Sequence, residues 1–184
     1  DTDFVNYEPD KSLIQKSIEA IESYKKSMVS PRLFGAKGDG IVDDTKALLD
    51  AISYCKANKT NLYLESGIYK FTQRLNLDFS IHIFGVNMYD SALYYVNPDT
   101  HTELPYDSSY WEYSNSAISC QSNQIILSDF TLVGGDKEHP SKHIGIIYHY
   151  PDINHTKYLS SEQCLITRLI IEGFDSGEFR YAGW

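Results

Sequence analysis

Two segments of this chain are one unit written twice. Ser122–Gly135 reads SNQIILSDFTLVGG and Ser161–Phe174 reads SEQCLITRLIIEGF. Set side by side, Ile125 falls on Cys164, Leu127 on Ile166, Phe130 on Leu169 and Leu132 on Ile171. Each copy alternates apolar and polar residues, turns at a polar corner (Ser128-Asp129, Thr167-Arg168), alternates again and closes on glycine. Phe79–Gly85, FSIHIFG, supplies half of the same unit through Ile81 and Ile83. A strand–corner–strand unit that recurs without helices cannot bury its apolar side alone. It must stack on its neighbours, which is the signature of a β-solenoid. The 39-residue spacing exceeds a minimal coil, and the excess falls in two polar inserts, Asp136–Lys142 and Tyr150–Ser160.

The beginning of the chain follows another rule. Residues 1–10 are polar and aperiodic, and they carry no apolar stretch of the signal-peptide kind. From Asp10 to Met28, Ile14, Ile18, Ile21 and Met28 fall at spacings of 4, 3 and 7, with Asp10 or Ser12 as N-cap and Lys25 in the vacant apolar slot. Isoleucine at both core positions of a short heptad seam favours trimers. The same pattern also fits a surface helix docked on its own domain, and both readings stand. Ser30-Pro31 ends the helix and opens an extended link.

Then comes FGAKGDGIVDDTKALLDAISYCKANKTNLYLESGIYKFT, Phe34 to Thr72. Gly35, Gly38 and Gly40 mark a tight irregular loop. Asp43 or Asp44 can cap a helix whose Ala47, Leu48, Ala51, Ile52 and Cys55 share one face. Asn61–Leu64 reads as a strand, Glu65-Ser66-Gly67 as a turn and Ile68–Phe71 as the returning strand.

On these residues the chain resembles the pectate-lyase-like superfamily (pectate lyase 3 type), and within it the branch opening with FGAkGDGxxDDTxAixxAi and a G-x-Y turn. The match is nearly complete over Phe34–Phe71, while later segments fit as generic coils. One departure is Glu65-Ser66, where relatives often place proline. The resemblance implies an all-β chain: a right-handed parallel β-helix with an N-terminal capping α-helix, preceded by a short helical neck. Residues 1–30 would be a leader and a helical neck of the kind that can form a trimeric coiled coil, and 31–184 the first part of the β-helix. It also implies a structural role for Gly35, Gly38, Asp39, Gly40, Asp43, Asp44, Thr45, Gly67 and Tyr69. The neck makes the chain most similar to bacteriophage tailspikes and tail appendages. These are homotrimers that bind, and often cleave, a bacterial surface polysaccharide or teichoic acid, which points to a virion tail or extracellular place. Fungal glucanases and polygalacturonase-like enzymes share the motif. A free polysaccharide lyase or glycoside hydrolase is therefore the alternative, and a purely structural trimerisation and capping module a further one. A solenoid that stopped at Trp184 would leave open strand edges, so the expectation is an N-terminal piece of a longer protein.

Chemistry on a sugar polymer needs carboxylates facing each other, about 5–5.5 Å apart for retention or 6.5–9.5 Å for inversion of a glycoside. Asp39, Asp43 and Asp44 are explained by the turn and the cap. Outward positions are the better candidates: Asp129 at a corner, Glu172 between Ile171 and Gly173, and Asp175 and Glu178 in the next corner. Asp136, Glu138, His139 and His143 could approach a metal, but Pro140 breaks the helix that would align them, so a solvated loop is the reading and no metal or cofactor is called for.

Aromatic residues reach 14%, with fifteen tyrosines. Tyr106, Tyr110, Trp111 and Tyr113 crowd one proline-broken stretch, suited to carbohydrate contact, to a trimer interface or to plain cover of the solenoid. A net charge of −9 argues against a nucleic-acid partner. No apolar run of about 18 residues exists to insert in a membrane. Cys55, Cys120 and Cys164 are odd in number and widely spaced, which is no disulfide framework.

Overall fold

The computed structural model of the chain describes residues 11–96, 116–122, 124–135, 141–148, 165–176 and 180–181. Along the chain run α1 (Lys11–Lys26), β1 (Met28–Val29), a 3-10 turn (Pro31–Phe34), β2 (Asp39–Asp43), α2 (Thr45–Asn58), β3 (Asn61–Leu64) and β4 (Gly67–Phe71). They are followed by β5 (Leu75–Leu77), β6 (Ile81–Gly85), β7 (Ser91–Tyr95), β8 (Ser116–Cys120) and β9 (Ile125–Val133). The last strands are β10 (Ser141–Tyr148), β11 (Leu165–Glu172), β12 (Phe174–Ser176) and β13 (Arg180–Tyr181).

Every strand pair among these is parallel, and the pairs sort into three faces. The first face stacks β1, β3, β6 and the leading halves of β9 and β11. The second stacks β2, β4, β7 and their trailing halves. The third stacks β5, β8 and β10, with β12 and β13 both on β10. This is the right-handed parallel β-helix that the repeat and the family motif predict.

Alternation with period two decides what lies inside. Leu62, Ile83, Leu127 and Ile166 stand in register as one inward column, and Tyr69, Leu93, Leu132 and Ile171 as another. Leu75, Ile118 and Ile146 form the third. A fully buried Leu or Ile contributes about 1.5–3 kcal/mol, so these columns supply most of the cohesion between coils. The aligned repeat matches the observed register at Leu127/Ile166, Phe130/Leu169 and Leu132/Ile171.

The corners differ from the two-strand reading. β9 and β11 each run unbroken through the corner, because Asp129 (φ 62°) and Arg168 (φ 48°) take a left-handed conformation that turns the strand from the first face to the second. A single residue makes the turn where a two-residue polar corner between separate strands was expected.

At the start of the solenoid α2 occupies, in chain order, the place where later coils put a third-face strand. It buries Ala47, Leu48, Ala51, Ile52 and Cys55 against the first coil, as its sequence face predicts, and Thr45 is buried as well. α1 stops at Lys26, so Met28 leaves the expected helical seam. Met28–Val29 pairs with Asn61–Leu62 instead, Asn61 donates its N–H to Ser27 O at 3.0 Å, and Val29 is buried. Leu13, Ile14 and Ile18 of α1 remain exposed. At the other end Arg180–Tyr181 does not begin a new coil: it pairs with Ile147–Tyr148 of β10, the strand that already pairs with β12.

Candidate functional site

Two constellations of polar side chains stand out among the described residues. The first is the glycine loop. The short turn is capped by Ser30, whose Oγ accepts from Arg32 N, and ends at Gly35 with φ 95°. Asp44, 2% exposed, accepts from Lys37 N at 2.7 Å and Gly38 N at 2.9 Å and makes no side-chain cap bond to its own helix. Asp43 caps instead: it accepts from Thr45 N at 2.9 Å, from Thr45 Oγ1, and from Thr72 Oγ1 at 3.2 Å. Asp39 accepts from Ile41 N and Val42 N, each at 2.9 Å. These bonds hold the carboxyls of Asp43 and Asp39 below the ordinary carboxylate range, through Thr45 foremost for one and Val42 for the other. All three carboxylates are thus engaged with the backbone around them.

Arg32, which the sequence reading passed over, fastens this loop to the turn before β4. Its guanidinium donates to Lys37 O at 2.7 Å and Ser66 O at 2.8 Å, lies 3.4 Å from Glu65 Oε2, and sits over the Tyr69 ring at 5.6 Å. Tyr69 is fully buried and donates to Glu65 O at 3.1 Å, and burial pushes its hydroxyl up. A Cβ on Gly67 would meet Gly38 O at 2.5 Å, so that glycine is dictated by close approach of two backbones. The available signal for Arg32 was a lone cation between Ser30-Pro31 and the glycine run.

The second constellation lies where the first face turns into the second. Arg168 donates twice to Asp129, from Nε to Oδ1 and from Nη2 to Oδ2 at 2.7 Å. The guanidinium holds the Asp129 carboxyl below its usual range. Next to it, His82 Nε2 and Ser128 Oγ share a hydrogen bond of 2.9 Å, and His82 N donates to Asn61 Oδ1 at 3.1 Å. Burial lowers the imidazole's affinity for a proton, Asp129 raises it and Arg168 lowers it again, for a net downward shift. The His82 and Phe84 rings lie tilted against each other with centres 4.7 Å apart, as do those of Phe84 and Tyr63 at 5.2 Å. Tyr63 and Phe84 are partners in register on successive coils.

This arrangement offers flat rings, hydrogen-bond donors and a carboxylate side by side. Ser128 is 1% exposed, so its hydroxyl orients His82 and cannot reach a substrate carbon as a nucleophile would. Of the described carboxylates considered above, only Asp129 belongs to this cluster. Glu172 is exposed and pairs through its backbone with Val133, four residues beyond Asp129 and roughly 13 Å along extended strand. Asp175 lies in β12, and its side chain, like Glu178, Cys164, Tyr106, Tyr110, Trp111 and Tyr113, falls outside the described residues. The sequence reading missed His82, Ser128 and Arg168 as site residues. The signal for Ser128 and Arg168 was the repeat alignment, which already sets Asp129 opposite Arg168; His82 lies outside it.

Among the described residues no three His, Cys, Asp or Glu side chains come together as metal ligands, and no helix is long and apolar enough to cross a membrane.

Residues 28–123 match a protein-family profile described as rhamnogalacturonase A/epimerase, pectate lyase-like. No curated protein matches the sequence. Among solved structures the chain is similar to the Dettilon tailspike protein gp208, with a TM-score of 0.61 and 18% identity over 84% of this chain and 24% of that one. It is similar to the Azotobacter vinelandii mannuronan C-5 epimerase AlgE4 A-module, at 0.56 and 19% over 77% of this chain and 37% of the module. A third likeness is to ORF18 of Geobacillus virus E2, at 0.52 and 20% over 77% of this chain and 27% of that one. The chain therefore spans about a quarter to just over a third of these proteins.

Proposed function

The chain belongs to the rhamnogalacturonase A/epimerase, pectate lyase-like family, and from that premise we propose that it is the N-terminal part of a phage tailspike or tail-appendage subunit. In this reading the subunit is a homotrimer that engages a bacterial surface glycopolymer. The observation that carries it is α1, whose Leu13, Ile14 and Ile18 are 59%, 45% and 43% exposed ahead of the capped first coil. Apolar side chains in such a row lie uncovered in a single chain and would be covered by like helices around a three-fold axis. The likeness to a tailspike and to a virus protein supports the same place, the tail of a virion. The Gly35–Thr45 motif, with Gly67 and Tyr69, closes the end of the β-helix next to that neck and takes no part in chemistry.

A second reading, a free enzyme acting on polysaccharide, draws support from the likeness to an epimerase module. Two measurements separate them. Sedimentation of the protein should give a trimer; a monomer would overturn the tail-subunit reading. Incubation with purified capsular and teichoic polysaccharides should show co-sedimentation. Release of new reducing ends or unsaturated sugars by a monomer would establish the enzyme reading instead.

A further inference from the structure

We propose that the row of Tyr63, Phe84, Asp129 and Arg168 along the outer first face is a binding site for consecutive uncharged hexopyranose units of the glycopolymer. The inference rests on the glycan-binding reading above and names the class of sugar.

Geometry supplies the first half of the argument. Tyr63 and Phe84 stand in one outward column, and the next members of that column are Ser128 and Thr167. The column therefore steps from rings to small hydroxyl residues. His82 leans across the step to Ser128, and the Asp129–Arg168 pair stands one residue further on. Phe84 and the ion pair on the coils next to it match the two sides of one pyranose, and Tyr63, one coil spacing of about 4.8 Å before Phe84, meets the neighbouring unit of the polymer. Its C–H face lies on an aromatic ring, and its hydroxyls turn to donors and acceptors. Arg168 engages two of its five N–H groups with Asp129, and among the described residues no hydrogen bond takes the other three, which leaves them for a ligand. Its side chain is 60% exposed and that of Asp129 23%.

Charge supplies the second half. Asp129 and Arg168 cancel, and the desolvated imidazole of His82 favours its neutral form. Among the described residues, those facing outward on this face, Asn61, Tyr63, His82, Phe84, Ile126, Leu165 and Thr167, include no lysine or arginine. Binding a polyuronate or a polyphosphate needs uncompensated cations, and a chain of net charge −9 repels both. An uncharged sugar meets no such penalty.

The test titrates the full chain calorimetrically with maltohexaose, cellohexaose and mannohexaose, and with hexagalacturonate and a glycerol phosphate hexamer. A neutral oligomer should bind, with affinity unchanged between low and high salt. Tyr63→Ala and Arg168→Gln should each weaken it roughly tenfold with the urea midpoint unchanged. Arg168→Gln, on an exposed side chain, keeps the test meaningful if Tyr63→Ala unfolds. Binding of the anionic oligomers alone, neutral binding indifferent to both variants, or no neutral binding at all would overturn the inference. If the chain still co-sediments with a bacterial polysaccharide in that last case, the sugar class is wrong and the glycan reading stands. If it binds no polysaccharide, that reading falls too.

Discussion

Asp43 and Asp44 are adjacent, yet removing their carboxylates should have unequal consequences. Asp44→Ala strips the acceptor from two backbone N–H groups, those of Lys37 and Gly38. A hydrogen bond to a charged group contributes about 1.5–3 kcal/mol, and leaving a buried donor unpaired costs about 1–3 kcal/mol. Lys37 is exposed, so its N–H can turn to water. Gly38 is half-buried with the Arg32 guanidinium and the Tyr69 ring close against it, so its N–H reaches water less readily. The expected loss is therefore about 2–4 kcal/mol, a large share of a typical stability of about 5–15 kcal/mol. Asp44→Asn should cost nearly as much, because its amide keeps one acceptor and turns a donor toward the second N–H. Asp43 is exposed, and water can replace it at the Thr45 and Thr72 hydroxyls. Asp43→Ala should cost about 1 kcal/mol, the usual worth of an N-cap. Urea titrations followed by far-ultraviolet circular dichroism would rank the three variants. A loss below about 1 kcal/mol for Asp44→Ala, or one no larger than for Asp43→Ala, would refute the assignment of Asp44 as the clamp.

Gly67→Ala should destabilise more than Gly35→Ala. Both have positive φ, but a Cβ at Gly67 meets Gly38 O at 2.5 Å whereas Gly35 opens on free space. The expected gap is about 1–3 kcal/mol in the same urea assay, and equal losses would contradict the close approach. Acidification should weaken the fold through His82, whose folded affinity for a proton lies below the ordinary one. As pH falls through about 6.5 the unfolded chain takes up a proton that the folded imidazole resists, so stability present above that pH is lost. Urea midpoints between neutral and mildly acidic pH should fall less steeply for His82→Gln than for the unaltered chain; identical slopes would remove His82 from the account.

Local patterns were the legible part of this protein. Asn61–Leu64 and the Ala47–Cys55 face of α2 appear where the sequence predicts them, because period two and period 3.6 are decided within a few residues. The repeat also carried register: aligning Ser122–Gly135 with Ser161–Phe174 pairs the same residues that hydrogen bonding pairs. The site was legible only in part. Asp129 was visible as an outward acid at a corner, and its partner Arg168 stood opposite it in the same alignment. His82, 46 residues from Ser128, was not visible, since nothing local says which coil lies above which when the inserts between coils differ in length.

The extent of α1 and the corners marks the boundary between the two kinds of information. Apolar spacing extends the first helix to Met28, but Val29 gains burial and Met28–Val29 gains a strand partner only once β3 is folded beneath them. Polar doublets announce corners, but whether a corner is one left-handed residue, as at Asp129, or the five residues 86–90 depends on how the next coil seats. The amino-acid sequence by itself determined a capped parallel β-helix, its inward columns and its family, because alternation and a glycine-rich motif act at short range. Tertiary structure alone decided which of two neighbouring aspartates clamps the loop, what Arg32 holds, and that a histidine, a buried serine and an ion pair meet on one outer face. Asp44 closes back on its own loop, whereas the Arg32–Ser66, His82–Ser128 and Arg168–Asp129 contacts join residues from different coils, which stacking brings together only when the helix has wound.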